Sequence, residues 1–369
     1  MKNYGRTSVY EFLGDRVVYR NLVPADPRLP PLAEIRPQVG IAPDVTPRKS
    51  DPEYARVITH LLRQARGGSI ERLLYVGDTR LNDGAAFVNV CRAGGWPGLA
   101  FIGAERDEPA RVEIVQGDET LYLANRWAAL DDFDRYGRER DFPVDGRTAV
   151  IVDLDKTALG ARGRNDHVID QARVEAVRRT VGDLLGGDFD AAVFQSAYDC
   201  LNQPEFHPFT RDNQDYLAYV CLILGSGLYR LEPLAAEVRT GKLKTFAQFI
   251  AGVEARAGEL PVNLREIHGD IYAYVQQGDP TPFKAFRFNE YRATIERMGG
   301  AEGKAVAGLL ENVILVTQEV RALALDWRAR GALLFGLSDK PDEASVPTDE
   351  LAALGYRPIH RAETCAVGG

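Results

Sequence analysis

One segment constrains this 369-residue chain more than any other: Ala149-Val150-Ile151-Val152-Asp153-Leu154-Asp155-Lys156-Thr157. Its apolar, largely β-branched run shows no polar alternation, the pattern of a strand buried on both faces of a parallel sheet. The run ends in two carboxylates one residue apart and then a threonine. In open α/β sheets the carboxyl ends of the strands are where ligands bind. Two acids at that edge cost stability unless they are paired, bound to a metal or used in chemistry.

Three further segments share this construction. The apolar Leu73-Leu74-Tyr75-Val76 ends in Gly77-Asp78-Thr79-Arg80-Leu81-Asn82-Asp83-Gly84, and a helical pattern over Ala85–Arg92 and the apolar Gly98–Gly103 follow. Upstream, Arg48-Lys49-Ser50-Asp51-Pro52-Glu53 opens a helical pattern that runs to about Gln64. Near the other end, Ala332-Leu333-Leu334-Phe335-Gly336-Leu337 reads as a strand with Ser338 at its tip, before Asp339-Lys340-Pro341. Each has a plainer reading. Lys49 can be a solvated helix-start residue, Ser338 a turn cap, and Asp78 and Asp83 turn residues beside Gly77 and Gly84.

Together these segments resemble the motifs of the haloacid dehalogenase-like hydrolase superfamily, in circularly permuted order. Asp153-x-Asp155-x-Thr157 resembles its acid-pair motif, Ser338 its hydroxyl motif, Lys49 its phosphate-binding lysine, and Gly77-Asp78 with Asp83 its acidic metal motif. Family chains run acid pair, hydroxyl, lysine, Gly-Asp; here Lys49 and Asp78 come first and Ser338 last. Permutation is physically admissible, because all these loops share one sheet edge and the site depends on which strands meet. A linear alternative takes Ser196, after Ala191–Gln195, as the hydroxyl, with Asp339 and Asp342 as metal acids; it leaves Lys49 and Gly77–Gly84 unexplained.

The resemblance implies a doubly wound, mostly parallel, Rossmann-like α/β core and Mg²⁺-dependent phosphatase activity on a small phosphorylated metabolite. Asp153 is then the nucleophile that forms an aspartyl phosphate, and Asp155 the general acid and later the base. The implied Mg²⁺ ligands are the Asp153 carboxylate, the Asp155 backbone carbonyl and Asp78, with Asp83 completing the acidic shell or orienting Lys49. Lys49 and Ser338 hold phosphoryl oxygens. The carboxylate at position 155 favours phosphoryl over carbon–halogen chemistry. A phosphotransferase or mutase using the same intermediate, and a non-catalytic binding or regulatory protein that keeps the fold, are the alternatives.

Composition narrows the field. The net charge of −8 without a dense Lys/Arg block argues against a nucleic-acid backbone binder. No apolar run approaches membrane-spanning length, and the first residues lack the apolar segment of a secretory signal. Cys91, Cys200, Cys221 and Cys365 have no metal spacing and fit reduced thiols in a cytoplasm, and the five histidines form no cluster.

At 369 residues two domains are expected. Residues 1–48, rich in proline, read as a short strand at Val17–Tyr19 and an extended wrap; residues 49–157 alternate helix and strand, the α/β signature. Residues 158–315 read as helical, with segments at Val168–Leu185, Asp215–Leu224, Thr245–Ala257, Leu264–Gln277 and Asn289–Met298. The resemblance makes this block a cap inserted into a core of 1–157 and 316–369. The tail 356–369 matches no motif.

Overall fold

The apolar runs become the middle of a seven-stranded sheet in the computed structural model, which describes every residue except 44, 212, 301 and 302. The ten strands, in chain order, are β1 (Lys2–Thr7), β2 (Val17–Val18), β3 (Arg72–Gly77), β4 (Gly98–Gly103), β5 (Val112–Gln116), β6 (Thr120–Ala124), β7 (Thr148–Asp153), β8 (Val316–Thr317), β9 (Leu333–Leu337) and β10 (Thr364–Gly368). The large sheet has the order β2-β9-β7-β3-β4-β6-β5, parallel throughout except for the β5–β6 hairpin. The fold is therefore α/β with a mostly parallel sheet, compatible with a Rossmann-like core.

This order fixes where a ligand crevice opens. From β3 the chain moves outward through β4 and β6, then returns to the other flank of β3 as β7 and continues outward to β9. The winding thus reverses between β3 and β7, and such a switch point leaves a crevice at the strands' carboxyl ends. Val76 pairs with Val152, and Asp153 pairs with Leu337, so Asp78, Asp153 and Ser338 leave three adjacent strands at one edge.

Helices cover the sheet for legible reasons. Pro52–Arg66 starts with proline in its first turn and Glu53 near its positive end. It stops at Gly67, whose φ of 60° is left-handed. Its buried stripe of Tyr54, Val57, Ile58, Leu61 and Leu62 packs with Phe87 and Val90 of the helix Asp83–Gly94 and with Tyr75, Ile151 and Phe335 of the sheet. An aromatic cluster of Phe101, Tyr122, Trp127 and Phe133 joins β4 and β6 to the helix Leu130–Arg138.

Three features depart from the sequence reading. The expected extended wrap contains a helix, Leu32–Val39, with Pro37 inside it. Burial of Leu32 and Ile35 against the core outweighs the ~3 kcal/mol that an interior proline costs. The β5–β6 hairpin was not expected, and neither was a second sheet of order β1-β10-β8, in which the tail supplies the central strand.

The tail is also latched by a buried histidine. His360 Nδ1 lies 3.0 Å from Tyr19 Oη and its Nε2 lies 3.1 Å from Asp15. Tyr19 donates to Nδ1 in the tautomer this network assigns, and Nε2–H donates to Asp15. Burial lowers the imidazole pKa below its ordinary 6.5, against the opposing pull of Asp15. The unfolded chain then takes up this proton first, so the stability held by neutral His360 is full above about pH 6.5 and is lost as pH falls from there toward the folded value. Thermal melts between pH 5 and 7.5 should show this loss, and His360→Gln should flatten it. An equal acid sensitivity in the variant overturns the assignment.

The chain divides into two compact units, Met1–Gln171 with Thr294–Gly369, and Ala172–Ala293. The segments 158–171 and 294–315, expected within the insertion, belong to the sheet-bearing unit. The second unit is helical, and among its elements are Ala191–Leu201, Gln214–Gly225, Leu231–Arg239, Phe246–Glu254 and Val262–Gln276. A Thr245–Gln248 capping box starts the fourth of these. Inside this unit Arg287 donates to Asp215 and, at 2.6 Å, to Glu290. All three are buried, and the pairing offsets their desolvation. No helix among the described residues is long and apolar enough to cross a membrane.

Candidate metal centre and active site

Local backbone chemistry brings the acids of β3 together. A Cβ on Gly77 would stand 2.6 Å from Asp83 Cβ, so only glycine lets the start of the following helix fold back over the strand end. Asp83 then closes a turn. Its Oδ2 accepts from the backbone N–H groups of Asp78 (3.1 Å) and Thr79 (2.9 Å) and from Thr79 Oγ1 (2.9 Å). Its Oδ1 accepts from Tyr75 Oη at 3.1 Å and from Lys49 Nζ at 2.7 Å.

Lys49 is the hub. Its side chain is 3% exposed, and its ammonium bridges Asp83 to Asp153 Oδ1, 2.5 Å away on the neighbouring strand. Asp78 takes a different cation: Arg162 Nε donates to its Oδ2. The Arg162 backbone is pinned, because its carbonyl accepts from Glu105 N–H at 2.9 Å and from Trp127 Nε1 at 3.2 Å. Carboxylate oxygens of Asp78, Asp83 and Asp153 all lie within 4.8 Å of one another, close enough to share one cation.

Burial and crowding set the charges. Burial pushes Asp153 well above the ordinary carboxylate range, with Asp83 and Asp78 adding to the effect and Lys49 opposing it. Asp78 is pushed up to about 7, by burial first and then by Asp83, against the pull of Arg162. Burial also opposes the charge on Asp83, but Lys49, Asp78 and the Thr79 N–H outweigh it and hold that carboxyl well below its usual range. Lys49 resists its own desolvation because Asp153 and Asp83 flank it, and its pKa is raised. Three acids against Lys49 and Arg162 therefore leave one carboxylate in excess, which a further positive charge would ionise.

The site residues read from the sequence fall as follows. Lys49, Asp78, Asp83 and Asp153 meet in this cluster. Ser338 is buried at the tip of β9, beside the strand that bears Asp153. Its Oγ accepts from Lys340 N–H at 3.0 Å, a turn cap, and among the described residues its own proton has no acceptor. Asp155 is partly exposed and its side chain lies outside the triad. Lys156, at φ 62°, turns the chain just after it, and its ammonium meets Asp170 at 2.8 Å. Of the linear alternative, Ser196 lies within the helix Ala191–Leu201 rather than at a strand tip, and Asp342 accepts from Asn21 N–H at 3.0 Å in a short helical turn.

Three participants escaped the reading in the roles they take. Tyr75 looked like strand core, yet its hydroxyl holds Asp83. Asp339, half-buried, has its carboxyl pushed up by burial against the pull of the Lys49 charge. Arg162 follows the strand of Asp153 by nine residues and carries no motif, yet it pairs with Asp78. Only the density of charge beside these strand tips pointed to them. Comparison with family models gives no match, and comparisons with curated proteins and with solved structures give none either.

Proposed function

We propose that this chain is a Mg²⁺-dependent phosphatase of haloacid dehalogenase-like type, hydrolysing a small phosphorylated metabolite through an aspartyl phosphate on Asp153. One observation carries the reading. Three carboxylates share a space of 4.8 Å at the switch point of a parallel sheet, with the buried Lys49 bridging two of them. An all-oxygen donor set fits a hard divalent cation. The excess carboxylate described above is what such a cation would neutralise. When bound, it supplies charge neutralisation for the phosphoryl oxygens and favours ionised ligands.

The chain's own groups do the rest. Asp153 attacks phosphorus, and the bond to the leaving oxygen breaks. Asp155, on the more open side of the loop, protonates that oxygen and then takes a proton from the attacking water. Lys49 and the Ser338 hydroxyl donate to the phosphoryl oxygens, and Asp83 keeps Lys49 aimed. The helical unit Ala172–Ala293 has the cap's part in this reading, the choice of substrate.

The test is release of inorganic phosphate from phenyl phosphate with Mg²⁺ and with a chelator. Release that requires Mg²⁺ is expected; no release, or release indifferent to chelation, overturns the reading.

A further inference from the structure

The site does not end at the acid triad. A cleft of about 270 Å³ starts at Asp78 and runs along the carboxyl ends of β4 and β6, lined among others by Arg80, Arg106, Glu108, Arg111 and Asn125. Asp78 is the residue shared with the triad, so the cleft adjoins the candidate metal centre.

The charges in the cleft are not equivalent. Arg111 is paired with Glu113 at 3.7 Å, and Asp78 with Arg162. Among the described residues, the guanidinium groups of Arg80 and Arg106 have no hydrogen-bond or ion-pair partner, and Glu108 is the remaining unpaired acid of the lining. Two free guanidinium groups against one unpaired carboxylate in the lining leave a positive surplus beside an acidic centre.

The loop that carries Arg106 is braced from both ends. Arg126 spends its guanidinium on backbone, donating to the carbonyls of Arg106 and Asn125 (each 2.6 Å) and of Glu108. Asn125 accepts from Arg111 N–H at 2.6 Å and donates to Pro109 O at 2.8 Å. At the other end Glu105 is clamped by Arg164, at 2.8 and 2.9 Å, and Arg164 in turn is held by Glu319. Gly163, at φ 76°, lies so close that a Cβ there would stand 1.9 Å from Glu105 O. A backbone fixed in this way confines the ordering cost of binding to the arginine side chain itself, and a guanidinium is suited to carboxylate or phosphate oxygens.

We infer that this cleft receives a second anionic group of the substrate, held by Arg80 and Arg106. The substrate class is then a phosphate monoester that also bears a carboxylate or a second phosphate. The inference rests on the phosphatase reading for the position of the reacting phosphate, but the anion subsite is testable by binding alone.

The experiment measures binding of 3-phosphoglycerate, fructose 1,6-bisphosphate and phenyl phosphate to the full chain with Mg²⁺ by calorimetry, with hydrolysis followed in parallel. Wild-type protein should prefer one or both of the probes that carry a second anionic group over phenyl phosphate. Arg80→Gln and Arg106→Gln should each cut that preference about tenfold, and Glu108→Gln should increase it. Arginine dependence confined to 3-phosphoglycerate identifies a carboxylate, and confined to fructose 1,6-bisphosphate a second phosphate. A preference that survives both arginine substitutions, or no preference in wild type, overturns the subsite. Arginine-dependent binding without hydrolysis of any probe keeps the subsite and overturns the hydrolytic reading instead. Because both arginines are exposed and unpartnered, unchanged melting temperatures should accompany these variants.

Discussion

Asp153→Asn is expected to abolish phosphate release, a fall of about 10⁴-fold or more, while the protein stays folded. The amide keeps the size of the carboxylate and can still accept from Lys49, which retains Asp83 as its second partner at 2.7 Å. It removes the negative nucleophile, so no phosphoenzyme forms. Because burial opposes the charge at position 153, a neutral side chain there is tolerated by the fold. Asp155→Asn should fail at a different step. A good leaving group needs no proton, so p-nitrophenyl phosphate should still phosphorylate Asp153, and the adduct should persist because no base activates water. Intact-mass measurement separates the two: no added phosphoryl group in Asp153→Asn, a trapped one in Asp155→Asn. Undiminished turnover in Asp153→Asn would remove the nucleophile from the proposal and leave the acid triad a structural feature.

The parts of this arrangement that were legible came from strong local signals. Apolar runs ending in acids gave β3 and β7 to within a residue or two, because a strand buried on both faces leaves no room for polar alternation. The proline and glycine flanking Pro52–Arg66 marked that helix for equally local reasons. The acidic cluster was legible only by combination, since residues 49, 78, 83 and 153 meet through strand pairing that no short window contains. What escaped lies where local rules are silent or overridden. The β5–β6 hairpin turns through Gly117-Asp118-Glu119, but its exposed Val112 and Ile114 gave no core pattern to mark the strands. The tail carries no motif because β10 is specified by its neighbours β1 and β8 and by the Tyr19–His360–Asp15 contacts, all distant in sequence. Pro37 reads as a helix breaker until the burial of Ile35 is known.

Lys49→Met carries the second large expectation, and it concerns stability before activity. The substitution keeps an unbranched side chain of similar length but takes the one cation from between Asp83 and Asp153. Removing one partner of a buried ion pair leaves uncompensated buried charge and costs about 3–5 kcal/mol. Asp153 can escape by taking up a proton, since burial already drives it upward. Asp83 has less freedom, because Tyr75, Thr79 and two backbone N–H groups hold its ionised form. Protonation of one acid therefore relieves only part of the penalty. A divalent cation among Asp78, Asp83 and Asp153 would relieve much of the rest, so Mg²⁺ should raise the melting temperature of Lys49→Met by more than that of the wild type. Activity should stay low even then, because the ammonium that meets the phosphoryl oxygens is missing. Melting curves of both proteins with Mg²⁺ and with chelator decide the matter. A larger Mg²⁺ shift in the variant supports a cation site built around Lys49, whereas equal stability of variant and wild type in chelator would show that the lysine does not hold the acids together.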